Sequence, residues 1–159
     1  MAIIGIVAID RQRAIGKDGA LPWHYSADLR FFREQTTGHA CVMGRRTWAT
    51  LKKPLKERLN IVLSGSVQIE PRESVVVLRD KGSVLSLKDY LRGDLFIIGG
   101  AKVYESFDEE IDRWIVTEVP LTVEGADTFM PREFLRGFEA DDSRTLEGDL
   151  KVTFYRRRA

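Results

Sequence analysis

Cysteine is almost missing from this sequence: Cys41 is the single one in 159 residues. No intrachain disulfide can form, and such usage points to a reducing compartment. Histidine is nearly as scarce. With Cys41, His24 and His39 as the only soft ligands, a four-ligand Cys/His zinc site cannot be assembled, and no metal is expected. An excess of either charge is also lacking, since 25 basic against 24 acidic residues leave a formal +1. A dedicated binder of nucleic acid or of a membrane surface shows its basic excess in the sum, so neither partner is expected. The longest apolar run, from Met1 to Ile9, is far short of the ~20 residues of a membrane span. No basic segment precedes it and no small-residue cleavage site separates it from Asp10-Arg11, so it reads as a strand and not as a signal peptide. The expected location is the cytosol.

What is present is ordinary for a folded protein: 43% hydrophobic and 31% charged residues, at a length of about one domain. No internal repeat, low-complexity tract or linker appears, and a single domain over 1–159 is expected. Near-continuous apolar runs at 3–9, 40–43, 60–63, 75–78 and 95–98 read as buried strands. Helical patterns at 27–36, 45–51, 84–91 and 101–107 fall between them, with Ser26 as the expected cap of the first. Strand–helix alternation of this kind predicts an α/β fold around a mostly parallel sheet. Beyond a further strand at 114–117 the helices stop, and residues 150–155 alternate as an antiparallel edge strand would. Arg156-Arg157-Arg158 reads as a solvated end. Ligands of such sheets bind beyond the carboxyl ends of the strands, so the chemistry is sought there.

Asp28 stands out first. At about 100° per residue it falls in the middle of the apolar arc made by Leu29, Phe31 and Phe32, opposite Arg30, Arg33 and Glu34. A charge there is expensive without a partner. Two readings follow: an acid of the first turn that complements the helix dipole, or a substrate-binding acid in an apolar pocket. Two turns also stand out, Val42-Met43-Gly44-Arg45-Arg46-Thr47-Trp48 and Ile98-Gly99-Gly100-Ala101-Lys102-Val103-Tyr104. In each, glycine admits close approach and the helix start offers free N–H groups to an anion. Neither matches G-x-G-x-x-G, so an ordinary Rossmann site is excluded. Arg45, Arg46 and Lys102 beside the turns suit an additional phosphate such as that of NADP, whereas solvated helix starts are the plainer alternative. Residues 10–23 form a long connection, read either as a lid with Gly16 and Gly19 as flexible points or as a plain surface loop. Arg58 is either a carboxylate-pairing group or a surface arginine.

The ordered set resembles dihydrofolate reductase of the chromosomal bacterial type. Leu21-Pro22-Trp23, Ala27-Asp28-Leu29, Phe32, Val42-Met43-Gly44-Arg45, Thr47-Trp48, Pro54-Leu55, Arg58, Asn60, Ile98-Gly99-Gly100, Tyr104, Thr117 and Thr128-Phe129 fall in that family's order and spacing. The resemblance implies an eight-stranded, mostly parallel central sheet with an antiparallel carboxy-terminal strand and four main helices. It further implies an adenosine-binding subdomain at roughly 39–89, NADPH as cofactor, and reduction of dihydrofolate to tetrahydrofolate. By that resemblance Asp28, Leu21 and Trp23 are the expected catalytic set. Ile4, Asp28, Leu29, Phe32, Leu51, Arg58, Ile98 and Thr117 are the expected substrate contacts. Ile6, Ile15, Gly16, Gly44, Arg45, Arg46, Thr47, Ser64, Gly65, Gly99, Gly100, Lys102, Val103 and Tyr104 fall where the family holds its cofactor. Gly65 stands where many relatives have a second hydroxyl donor, and two extra residues lie between Asp10 and Ile15. Dihydrofolate and antifolate-like small molecules are the implied partners, and a monomer is expected. Two rival functions are a same-fold NADPH-dependent pyrimidine reductase of riboflavin synthesis and a non-catalytic nucleotide-binding module.

Overall fold

The computed structural model describes residues 1–21, 23–66, 68–70 and 72–159; Pro22, used above to close the first loop, lies outside the described residues. The chain runs β1 (Ile3–Ile9), β2 (Ala14–Gly16), α1 (Ser26–Thr36), β3 (Ala40–Gly44), α2 (Arg45–Thr50), β4 (Leu59–Leu63) and β5 (Val75–Leu78). It continues with α3 (Lys81–Lys88), β6 (Leu95–Ile97), α4 (Ala101–Ser106), β7 (Arg113–Glu118), β8 (Thr128–Phe129), β9 (Phe138–Leu146) and β10 (Leu150–Arg157). Eight strands form one sheet in the order β5-β4-β3-β6-β1-β7-β10-β9, and β10 alone runs against the rest. The expected α/β class and the four helices are both present among the described residues.

Alternation along the strands divides the core between two faces. Ile3, Val7, Val42, Ile61, Ile97 and Trp114 meet Val84, Val103, Tyr104 and Phe107 from α3, α4 and the residue after α4. Ile4, Ile6, Cys41, Met43, Phe96 and Ile115 meet Phe31, Phe32 and Trp48 from α1 and α2 on the other face. At roughly 1.5–3 kcal/mol per fully buried large apolar side chain, this two-sided core explains how the fold stands without a disulfide. Gly5 shows how tight the packing is. It lies beside Trp114 in the register of β1 and β7, and a Cβ there would fall 2.5 Å from the indole ring.

Four local expectations are corrected. Ser26 is the first helical residue of α1 and not its cap; Tyr25 holds that position without a side-chain bond. The helix expected at 84–91 begins at Lys81, because Asp80 accepts a hydrogen bond from the Ser83 N–H and caps it there. The carboxy-terminal strand is antiparallel as expected, but it is not at the edge: β9 covers it. β9 carries Asp141-Asp142-Ser143-Arg144 and is exposed along most of its length, a polar edge that discourages strand addition by another chain. Nor is the arginine end wholly solvated. Arg156 pairs with Glu139 at 3.1 Å, and Arg157 donates to the Ile111 carbonyl at 2.6 Å. No helix among the described residues is long and apolar enough to cross a membrane.

Candidate active site

The carboxyl ends of β3 and β6 each pass through glycine directly into a helix, Gly44 into α2 and Gly100 into α4. Two turns distant in sequence thereby become neighbours. The Gly44 N–H donates to the Gly99 carbonyl at 2.9 Å, and the Ile98 N–H donates to Val42 at 3.0 Å. A Cβ on Gly44 would fall 3.0 Å from Val103 Cγ2, so a larger residue would press α2 and α4 apart. Gly99 has φ +121°, a conformation that L side chains rarely adopt. Thr47 Oγ1 lies 3.9 Å from where a Gly100 Cβ would stand. Arg45, Arg46 and Lys102 are exposed at the starts of these helices and have no side-chain partner among the described residues. Ser64, just past β4, is buried; its N–H donates to Leu78 and its carbonyl accepts from Arg79 at 3.0 Å. Gly65 is exposed with open space around it.

Asp28 lies in the first turn of α1, half-buried, and its carboxyl has no hydrogen-bond partner among the described residues. Burial pushes its carboxyl above the ordinary value. The cause is loss of water around the carboxyl, which is the environment that the pocket reading requires. Tyr104 is close by. Burial, with the Asp28 charge added, pushes its phenol up, and the hydroxyl stays a donor to the Ile6 carbonyl at 2.7 Å. Ile4, Ile6, Phe32, Leu51 and Ile98 belong to the apolar cluster of the same face, and Thr117 is buried in β7. Leu29 and Leu21 are about half exposed, at 51% and 55%. Leu29 therefore sits at the rim of the apolar arc and not inside it. Trp23 is half-buried, and its indole Nε1 is buried without a partner.

Arg58 is not the surface arginine that its residue type alone allows; it is 8% exposed. Its Nε donates to the Lys56 carbonyl at 2.8 Å and its Nη1 to Thr36 Oγ1 at 3.0 Å, with the guanidinium 6.0 Å from the centre of the Phe32 ring. The turn that presents it is tied by Asn60, which is fully buried and bonds Leu55 through both N–H and carbonyl. Sequence reasoning missed Thr36, whose only advance sign was a hydroxyl residue at the inner end of a helix.

The first loop is ordered by acids that sequence reasoning also passed over. Asp10 accepts backbone N–H bonds from Gln12, Ala14 and Val123, each at 2.8 Å, and the turn so closed holds Arg13 at φ 67°. Burial raises the Asp10 carboxyl, but those three donors and the charge of Arg13 outweigh it and hold it below the ordinary range. Ile15 and Gly16 lie in β2, which pairs with β8. Asp127 Oδ2 then accepts from the Asp18 N–H at 2.9 Å, where Asp18 and Gly19 turn with positive φ between the bridged Lys17 and Ala20. Among the described residues no cluster of His, Cys, Asp and Glu could hold a metal ion.

Comparison with known proteins matches the dihydrofolate reductase family over residues 2–156. Dihydrofolate reductase of Haemophilus influenzae is 36% identical over 129 residues, covering 80% of this chain and 77% of the relative. That of Bacillus subtilis is 37% identical over 122 residues, covering 76% and 70%. Among solved structures, dihydrofolate reductase from Enterococcus faecalis complexed with NADP(H) and RAB-propyl superposes with a TM-score of 0.89 at 30% identity, over 99% of this chain and 97% of that one. A match of this extent, joined to relatives above 30% identity across most of both sequences, places the chain in the dihydrofolate reductase family.

Proposed function

We propose that this chain reduces 7,8-dihydrofolate to 5,6,7,8-tetrahydrofolate for one-carbon metabolism, with NADPH as cofactor. The observation that carries the reading is Asp28, whose carboxyl is raised by burial and has no hydrogen-bond partner among the described residues, on the apolar face of α1. A flat pterin ring offers such a group its 2-amino and N3 positions to bind, and burial makes that exchange strong. The carbonyls of Ile4 and Ile98 and the hydroxyl of Thr117 supply the remaining polar contacts. Leu29, Phe32 and Leu51 form the walls around the rings, and Arg58 takes the α-carboxylate of the glutamate tail. Antifolate-like small molecules compete for the same pocket.

NADPH, when bound, supplies the hydride that reaches C6. The chain suits it: a cradle that any Cβ at Gly44 or Gly99 would disturb, two helix starts with free N–H groups, and three cations without partners among the described residues. Gly44, Gly99 and Gly100 would hold its pyrophosphate, and Arg45, Arg46 and Lys102 would hold its 2′-phosphate. Ile6, Ile15, Gly16, Thr47, Ser64, Gly65, Val103 and Tyr104 complete the surface, with the 39–89 portion holding the adenosine half. The protein's own work is orientation and electrostatics. Asp28 keeps its negative charge near the pterin and so favours protonation at N5, which a water admitted past Leu21 and Trp23 accomplishes. The chain acts as a single-domain monomer in the cytosol, without nucleic acid or membrane partners. Purified protein mixed with NADPH and dihydrofolate should lose reduced-nicotinamide absorbance in proportion to the tetrahydrofolate formed. No loss with dihydrofolate, or loss only with the pyrimidine substrate of riboflavin synthesis, overturns the reading.

A further inference from the structure

A buried guanidinium normally has a carboxylate against it, because an unpaired charge is costly to bury. Arg58 is buried and forms no ion pair among the described residues. Two neutral oxygens hold it instead. The Lys56 carbonyl is only two residues away and fixes the side chain to its own turn. The other oxygen, Thr36 Oγ1, is 22 residues away in the last turn of α1. That bond alone, of the two, registers the guanidinium against the helix that carries Asp28 and Phe32.

The Thr36 hydroxyl has one proton to donate and lone pairs to accept, and the structure uses it in both senses. It donates to the Phe32 carbonyl at 2.8 Å and accepts from Arg58 Nη1 at 3.0 Å. Thr36 is fully buried, so no water competes for these bonds. The hydroxyl is locked, and the fork of Arg58 with it. Five N–H donors belong to a guanidinium and two are committed here, which leaves the others for an incoming carboxylate.

We infer that Thr36 is a positioning residue for Arg58: its hydroxyl sets the angle of the guanidinium and thereby the preference for a glutamate-tailed folate over a tail-less pteridine. The inference rests on the proposed role of Arg58 in binding the tail. Thr36→Val keeps the shape and removes the hydroxyl; Thr36→Ser keeps the hydroxyl. The experiment compares KM and kcat of both variants and of Arg58→Ala for dihydrofolate and for a dihydropteridine without the aminobenzoylglutamate. Loss of one hydrogen bond to a charged group corresponds to roughly a tenfold rise or more in KM. Thr36→Val should therefore raise KM for dihydrofolate about tenfold, change kcat by less than about twofold, and leave the tail-less KM within about twofold. Thr36→Ser should restore the parent KM. If Arg58→Ala discriminates between the two substrates and Thr36→Val does not, the inference is overturned while the role of Arg58 stands. If Arg58→Ala affects both substrates alike, the tail-binding role itself falls, and the inference with it. Thr36→Ala provides the same comparison should the valine variant not fold; if both fail to fold while the serine variant does, the hydroxyl serves the fold and the inference is wrong.

Discussion

At the scale of single residues, Asp28 combines a stability cost with a catalytic use, and the two are separable by their signs. Its carboxyl is raised above 3.8 in the folded chain, so the native state holds the proton more tightly than the unfolded one. Native stability is then undiminished at pH below the unfolded value and is eroded as pH rises through the raised folded value. Asp28→Asn removes that erosion, and the variant is expected to melt at or above the parent temperature at neutral pH. Activity should move the other way. Without the negative charge near N5, neutral-pH turnover should fall by about 10²–10⁴-fold, as for a lost acid–base group. Acidification should recover much of the loss, because solvent protonates more of the substrate before it binds. The parent enzyme should rise less over the same range. kcat/KM against pH, measured with melting curves in both proteins, decides the matter. Normal neutral-pH turnover with a lowered melting temperature would return Asp28 to the role of dipole complement. A folded variant inactive at every pH would refute the protonation account.

At the scale of elements, two assemblies deserve separate tests, the paired helix starts and the first loop. If the cations at α2 and α4 hold a 2′-phosphate, Arg45→Ala should raise KM for NADPH roughly tenfold to a hundredfold, with little change for NADH. Equal effects on both cofactors would assign Arg45 to solvent. In the first loop, Asp10 is held low by three backbone donors. Its contribution is fully present above the unfolded carboxylate value and is lost as pH falls through the lower folded one. Asp10→Asn can satisfy fewer of those donors and should cost about 1.5–3 kcal/mol at neutral pH, with the difference from parent shrinking in acid. Urea titrations at neutral and acidic pH test this; a difference that does not depend on pH would deny the charge its part. The glycine turns were legible in the sequence because strand, glycine and helix lie within a few residues of one another. Their contact, Gly44 to Gly99, was not, since it depends on β3 and β6 lying side by side. The anchoring of Asp10 to Val123 and of Asp18 to Asp127 was equally hidden: each joins segments more than a hundred residues apart through an aspartate that looks like any other.

At the scale of the whole molecule, the parallel core was readable because strands covered on both faces must be apolar throughout, and β9 was not, because a polar edge strand exists only through its pairing with β10. The same two-sided cover gives a global probe. Cys41 is fully buried in β3, between β4 and β6, and burial, only partly offset by Arg58 and Thr36, pushes its thiol up to about 12. A neutral, enclosed thiol is a poor nucleophile, and a central strand is freed only when the molecule opens as a whole. Alkylation of native protein should therefore be slow and should track the population of the unfolded chain. NADPH at about a hundred times its Kd adds roughly 2.7 kcal/mol to the folded state, which slows labelling about a hundredfold. Arg45→Ala, with its weakened grip, should lose most of that protection at the same NADPH concentration. Mass spectrometry of protein held with a maleimide in native buffer gives the rate directly. Rapid labelling of the native chain would place Cys41 in a locally opening region, and labelling indifferent to NADPH would contradict the cofactor site at the two glycine turns.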